Sequence, residues 1–238
     1  MNDQKKSFRT RSAAFLTSPV FIILTLAVTG TIMTLFGGMG FLAGLLIVLI
    51  TLWAIRWDWS WLGIVKPELG STVVKSLVYT VVIIIVVDVF LTPAIELLTE
   101  PLDYSGFEWL RGNLVGLVLF TLFMWIVAAI GEELFYRGYG IKRLAHILGN
   151  TDSSWIIAAV ISSALFGVVH WYQGISGVLS TGFVGLILAY AFIRNRDNLI
   201  LCILIHGIYD MWGLTLIYLS KDRVITEWAQ ENLFQLLN

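Results

Sequence analysis

Apolar runs of about 20 residues, the length a helix needs to cross ~30 Å of hydrocarbon, recur along the chain and limit its folds most sharply. Seven lie near residues 15–36, 40–56, 72–97, 112–148, 153–172, 175–194 and 198–219. A segment inside a bilayer must satisfy its own backbone N–H and C=O groups, so only helices and closed barrels span. No run alternates apolar and polar residues strictly, which argues against a barrel and for an all-α, polytopic transmembrane helical bundle of about seven spans. With 58% hydrophobic and 13% charged residues among 238, a water-soluble enzyme is excluded.

The 15 Lys and Arg nearly balance the 16 Asp and Glu, so nothing points to nucleic acid as a partner; the partner that composition demands is the lipid bilayer. Charge placement says more. Lys5, Lys6, Arg9 and Arg11 precede the first run, which is too long for a signal peptide and lacks a convincing cleavage site, so it reads as an uncleaved span. With that tail cytoplasmic, Arg56, Lys66, Lys75, Arg137, Lys142, Arg143, Arg194 and Arg196 join it on the inner side. Only Arg111, Lys221 and Arg223 fall outside. The expectation is a multi-pass protein of the cell membrane with a cytoplasmic N-terminus. Glu96, Glu100, Asp103 and Glu108 gather in one outer loop, and Trp57, Trp59, Trp61, Trp109, Trp155 and Trp171 flank spans as interfacial anchors.

No linker or repeat divides the chain. Residues 1–111 hold the charged tail and three spans, 112–219 form a core, and 220–238 form a short amphipathic tail with Trp228, Leu233, Phe234, Leu236 and Leu237. The single Cys202 excludes an internal disulfide and a cysteine metal site. The oligomeric state has no signature in the sequence.

Ionisable groups inside apolar spans are costly, and each is a functional candidate. They are Glu132 and Glu133 in AAIGEELFYRGYG, His170 in ALFGVVHW, and His206 with Asp210 in LIHGIYDMW; Asp88 in IIVVDVFL stands alone. Glu133 and Arg137 are four apart with the acid first, the favoured order for a helical ion pair, and this pair reads more readily as structural than as catalytic. Glu132 is rotated about 100° from Glu133 and has no base three or four residues on, so one glutamate is left for chemistry. His206 and Asp210 share a face, which lets the acid orient or charge the imidazole, or lets both reach one ligand. His146 reads as solvated or lipid-facing, Cys202 as core packing, and Gly174, Gly177, Gly182 and Gly185 as small residues for close helix contact.

This order of motifs resembles the CAAX protease and bacteriocin-processing family of intramembrane endopeptidases, called CPBP or Abi. EExxxR is present as Glu132, Glu133 and Arg137, FxxxH as Phe166 and His170, and HxxxN or HxxxD as His206 and Asp210, over residues 112 to 212. The resemblance implies an endopeptidase acting on a membrane-associated or lipidated peptide or protein. Glu132 and His170 would position and deprotonate a water, Glu133 and Arg137 would support the site, and His206 with position 210 would stabilise the oxyanion. Asparagine donates at every pH, whereas Asp210 donates only when protonated, so here the chain departs from the better donor. Asp210 can instead hold the His206 tautomer or ligate a metal. Glu132, His170, His206 and Asp210 are a nitrogen and oxygen set of the kind zinc takes, so a metalloprotease stays open beside the favoured metal-free glutamate mechanism. From other classes, a catalytically silent immunity factor or scaffold, a proton-coupled transporter and a haem held by His170 and His206 compete; no inverted repeat supports transport.

The candidates must lie at one depth. With 1.5 Å of rise per residue, Glu132 and His170 agree only if the fourth helix continues to Leu148, which makes it ~55 Å long and requires tilt, protrusion or a kink near Gly138 and Gly140. His206, ~12 Å from Asn198, is too shallow unless its helix shifts or starts earlier. Counting leaves the face of substrate entry open, and the resemblance implies the cytoplasmic one.

Overall fold

A computed structural model describes residues 2–36, 38–196 and 198–235. Among these the chain is helical: α1 Asn2–Leu16, α2 Pro19–Phe36, α3 Gly38–Ala54, α4 Leu69–Glu96, α5 Leu114–Ile147, α6 Asp152–Val168, α7 Gly174–Arg194, α8 Leu199–Tyr218 and α9 Val224–Asn232. Extended pairing among the described residues is limited to an isolated bridge between Ile64 and Asn198. Helix starts follow local chemistry. Asn113 accepts from Gly116 N at 2.9 Å, Asn198 accepts from Leu201 N at 3.2 Å, and Thr151 with Ser154 forms a capping box, each worth ~1 kcal/mol.

All seven apolar runs form helices. Five segments are long and apolar enough to cross a membrane, while Gly40–Ala54 and Asp152–Val168 are shorter, so the chain is a multi-pass membrane bundle. Three details differ from the sequence reading. The charged N-terminal stretch is itself helical, and the first span starts at Pro19 instead of residue 15, because proline suits a first helical position and Ser18 Oγ accepts from Phe21 N. The fifth run stops at Val168, which leaves His170 in the following turn. The C-terminal tail contains α9, which is anchored to α4 by Gln230 Nε2 donating to Pro93 O; Leu236 and Leu237 lie outside the described residues.

α5 runs unbroken through residues 114–147, as the depth comparison requires. Its middle, Trp125–Ile141, is wound as a wide π-helix, and so is Ile84–Leu91 of α4. Bonds that reach one residue further put more chain into each turn, which absorbs part of the excess length. The shallow position of His206 is also resolved. α8 does start at Leu199, but it starts beside the middle of α5, where Gly138 abuts Leu62 and Leu199 and where Leu199 N donates to Gly63 O at 2.8 Å. From that level α5 continues ~13 Å to Ile147, and seven residues of α8 carry His206 ~10 Å the other way.

α6 and α7 pack as a close hairpin. A Cβ at Gly167 would sit 2.5 Å from Val178 O, so only glycine permits this approach. Ser162 Oγ donates to Tyr136 O at 2.9 Å and fixes α6 against α5.

The two ends of the bundle differ in charge. At one end lie Lys75, bonded to Asn195 Oδ1, Lys142, bonded to Ser60 O, and Arg196, paired with Asp152; α1 joins them through Arg9, which donates to the carbonyls of Trp53 and Ala54 closing α3. At the other end the two arginines are tied to acids. Arg111 forks onto Asp222 at 2.6 and 3.0 Å, and Arg223 forks onto Glu96 at 2.7 and 2.8 Å.

Candidate functional site

The wide segment of α5 turns its two adjacent glutamates to different surroundings. Glu133 is fully buried at 0% exposure and accepts from Arg137 Nη1 at 2.8 Å, four residues on. Arg137, 1% exposed, also donates to Gly185 O of α7 at 3.2 Å and lies 4.6 Å from the Phe166 ring centre. This one guanidinium therefore joins α5, α6 and α7. Glu132 keeps 18% of its side chain exposed, and its Oε2 has no hydrogen-bond partner among the described residues.

His206 on α8 meets Glu133, not its helix neighbour. Its Nδ1 lies 2.8 Å from Glu133 Oε1, the same oxygen that accepts from Arg137, so Nδ1 carries a hydrogen and donates. Nε2 faces Asp210 Oδ1 at 3.6 Å and Glu132 Oε2 at 3.9 Å, both beyond hydrogen-bond reach. The sequence spacing paired His206 with Asp210; the orienting bond comes from the neighbouring helix.

His170, in the turn closing α6, has Nδ1 2.7 Å from Phe166 O. A carbonyl only accepts, so Nδ1–H donates to it; in the neutral ring Nε2 is then a lone-pair acceptor. The Phe166 ring lies 5.0 Å from the His170 ring and 5.8 Å, edge on, from that of His206.

Glu132, His170, His206 and Asp210 line one cavity of about 240 Å³, whereas Glu133 and Arg137 stand behind its wall. Asp88, Thr92, Tyr104, Phe107, Tyr172 and Tyr209 also contribute to the wall. Asp210 is 19% exposed, and its Oδ2 has no hydrogen-bond partner among the described residues. At the rim, burial raises the Tyr104 phenol above its ordinary range, which keeps it a neutral donor.

Asp88, singled out in the sequence only as an isolated acid, accepts from Tyr209 Oη at 2.7 Å and from Trp212 Nε1 at 3.3 Å across α4 and α8. Neither partner was legible beforehand, since a Tyr and a Trp in an apolar run carry no positional signal. His146 stays apart, with Nδ1 2.6 Å from Lys142 O and its ring against Trp155. Cys202 is buried in the core, as expected. Among the described residues no three His, Cys, Asp or Glu side chains are gathered as a metal-ligand group.

Gly207 gives the site a stability test. A Cβ there would lie 2.5 Å from the Trp125 ring, so that ring rests directly on the α8 backbone next to His206. Gly207→Ala should cost ~1–3 kcal/mol through overpacking, read as a lower melting temperature in detergent. An unchanged melting temperature would contradict the close contact.

Residues 114–212 match the family model described as Rce1-like, type II CAAX prenyl endopeptidase Rce1-like. The matched segment starts with α5 and ends within α8, so it contains all seven motif residues, and it is consistent with the CPBP resemblance. No curated protein and no solved structure matches the chain.

Proposed function

We propose, from the Rce1-like match over residues 114–212, that this protein is an intramembrane endopeptidase hydrolysing a peptide bond of a membrane-associated or lipidated peptide or protein in the cell membrane. The observation that carries the reading is the division of the glutamate pair. Glu133 is consumed by Arg137 and His206, while Glu132, with no hydrogen bond through Oε2 among the described residues and 18% of its side chain exposed, lines a cavity that His170 also lines.

In this reading a water sits between Glu132 and Nε2 of His170. Both are acceptors, so the two hydrogens of the water point at them and a lone pair is left for the peptide carbonyl. Glu132 takes one proton as the water attacks, and a desolvated carboxylate is the stronger base for this. The same proton then passes to the leaving amine. His206, in its doubly protonated form, aims Nε2–H at the developing oxyanion, while Glu133 holds Nδ1 and so fixes the ring. Because the donor set does not gather round a metal position, no step uses one.

Asp210 serves the oxyanion as a donor in its protonated form. Asp210→Asn should then keep or raise activity and extend it to higher pH, because a carboxylic acid stops donating once ionised and an amide does not. The check is a pH–rate profile of both proteins with and without chelator. Chelator should leave both unchanged; loss of activity in Asp210→Asn that zinc partly restores would overturn the metal-free reading.

The second reading, a silent immunity or scaffold protein of the same family, is favoured if purified protein cleaves no peptide. A transporter is weaker because Asp88, Glu132, His170, His206 and Asp210 converge on one cavity among the described residues.

A further inference from the structure

Every wall of the cavity comes from the same end of the bundle. α5 contributes Met124, Ala128 and Glu132 from its first two-thirds, before Arg137 and Lys142, and α4 contributes Asp88 and Thr92 from its last turns. α7 lends Ser180 and Val184 from its first half up to its midpoint, and α8 lends residues from His206 to Ile217. Tyr104 and Phe107 of the loop after α4, with Asp222 and Thr226 of the segment after α8, complete the rim. Further along α5 toward the opposite end, Phe135, Arg137 and Tyr139 are buried and none of them lines the cavity.

That opposite end holds the basic residues. Arg56, Lys66, Lys75, Lys142, Arg143, Arg194 and Arg196 lie there, and Arg9 docks α1 on it. The rim end has only Arg111, Lys221 and Arg223, and the two arginines are forked onto Asp222 and Glu96. Lysine and arginine bias in short loops sets membrane orientation, and the basic side is cytoplasmic.

We infer that the cavity opens away from the cytoplasm, so that the substrate is a peptide segment presented on the outer face of the membrane: an exported or outward-facing, membrane-anchored chain. This deepens the peptidase reading and rests on it, and it reverses the cytoplasmic entry that the family resemblance implies. A prenylated tail made in the cytoplasm would meet the closed, basic end.

Two arms test the inference separately from the peptidase reading. Cys202 is buried, which leaves the wild-type thiol background silent to a polar maleimide. Ser105→Cys at the rim and Ser153→Cys at the basic end, both exposed in the wild type, are labelled with a membrane-impermeant maleimide in right-side-out and in inside-out vesicles. Ser105→Cys should be labelled only in right-side-out vesicles and Ser153→Cys only in inside-out ones. The reverse pattern overturns the inference whatever the activity. The same vesicles then receive an impermeant, lipid-anchored fluorogenic peptide. Cleavage confined to right-side-out vesicles supports outward presentation, and cleavage confined to inside-out vesicles overturns it while leaving the peptidase reading intact. If neither population cleaves while Ser105→Cys labels from outside, the peptidase reading fails and the orientation stands.

Discussion

Glu132→Gln should abolish turnover, a loss on the order of 10³-fold or more, while the protein still inserts and purifies as a folded bundle. The amide keeps the shape of the side chain and removes only the base. Glu132 makes no hydrogen bond through Oε2 and is partly exposed to the cavity, so the fold loses little with its charge. Turnover and melting temperature, measured on the same detergent-solubilised preparation, separate the two effects. Wild-type turnover in Glu132→Gln removes the general-base assignment.

Arg137→Ala should act in the opposite sense, on the fold before the chemistry. Removing the guanidinium leaves the wholly buried Glu133 with only the His206 bond and frees Gly185 O, and breaking one side of a buried pair costs roughly 3–5 kcal/mol. Yield and melting temperature should fall together, and activity should fall with them because Glu133 also holds His206. Arg137→Lys should recover only part of the loss, since an ammonium cannot serve Glu133 and Gly185 O with the same planar geometry. A fully stable and active Arg137→Ala protein would contradict the pairing.

These two expectations were partly legible in the sequence. The i, i+4 spacing of Glu133 and Arg137 identified the structural pair, and the absence of a base for Glu132 left that residue to the cavity. Spacing within a helix says nothing about the next helix. His206 and Asp210 were grouped because they share a face, yet the bond that orients His206 comes from Glu133 on α5. The same blindness hid the Tyr209 and Trp212 donors of Asp88, which cross from α8 to α4.

Depth was the other limit. Counting at 1.5 Å per residue assumes ordinary helix and a common starting plane, and both assumptions fail here. The wide winding of Trp125–Ile141 changes the count, and α8 begins beside the middle of α5. Helix existence was secure because apolar runs in a bilayer admit little else. The end of α6 was not, since nothing in GVVHW distinguishes a last helical turn from the turn that holds His170.

The direct test compares membranes containing the wild-type protein with membranes containing Glu132→Gln, incubated in ¹⁸O-labelled water and surveyed by mass spectrometry for new peptide C-termini. Wild-type membranes should show fragments of membrane-anchored proteins whose new carboxylate carries one ¹⁸O, and Glu132→Gln membranes should keep the parent chains intact. Identical fragment sets in the two membranes would contradict hydrolysis by this site.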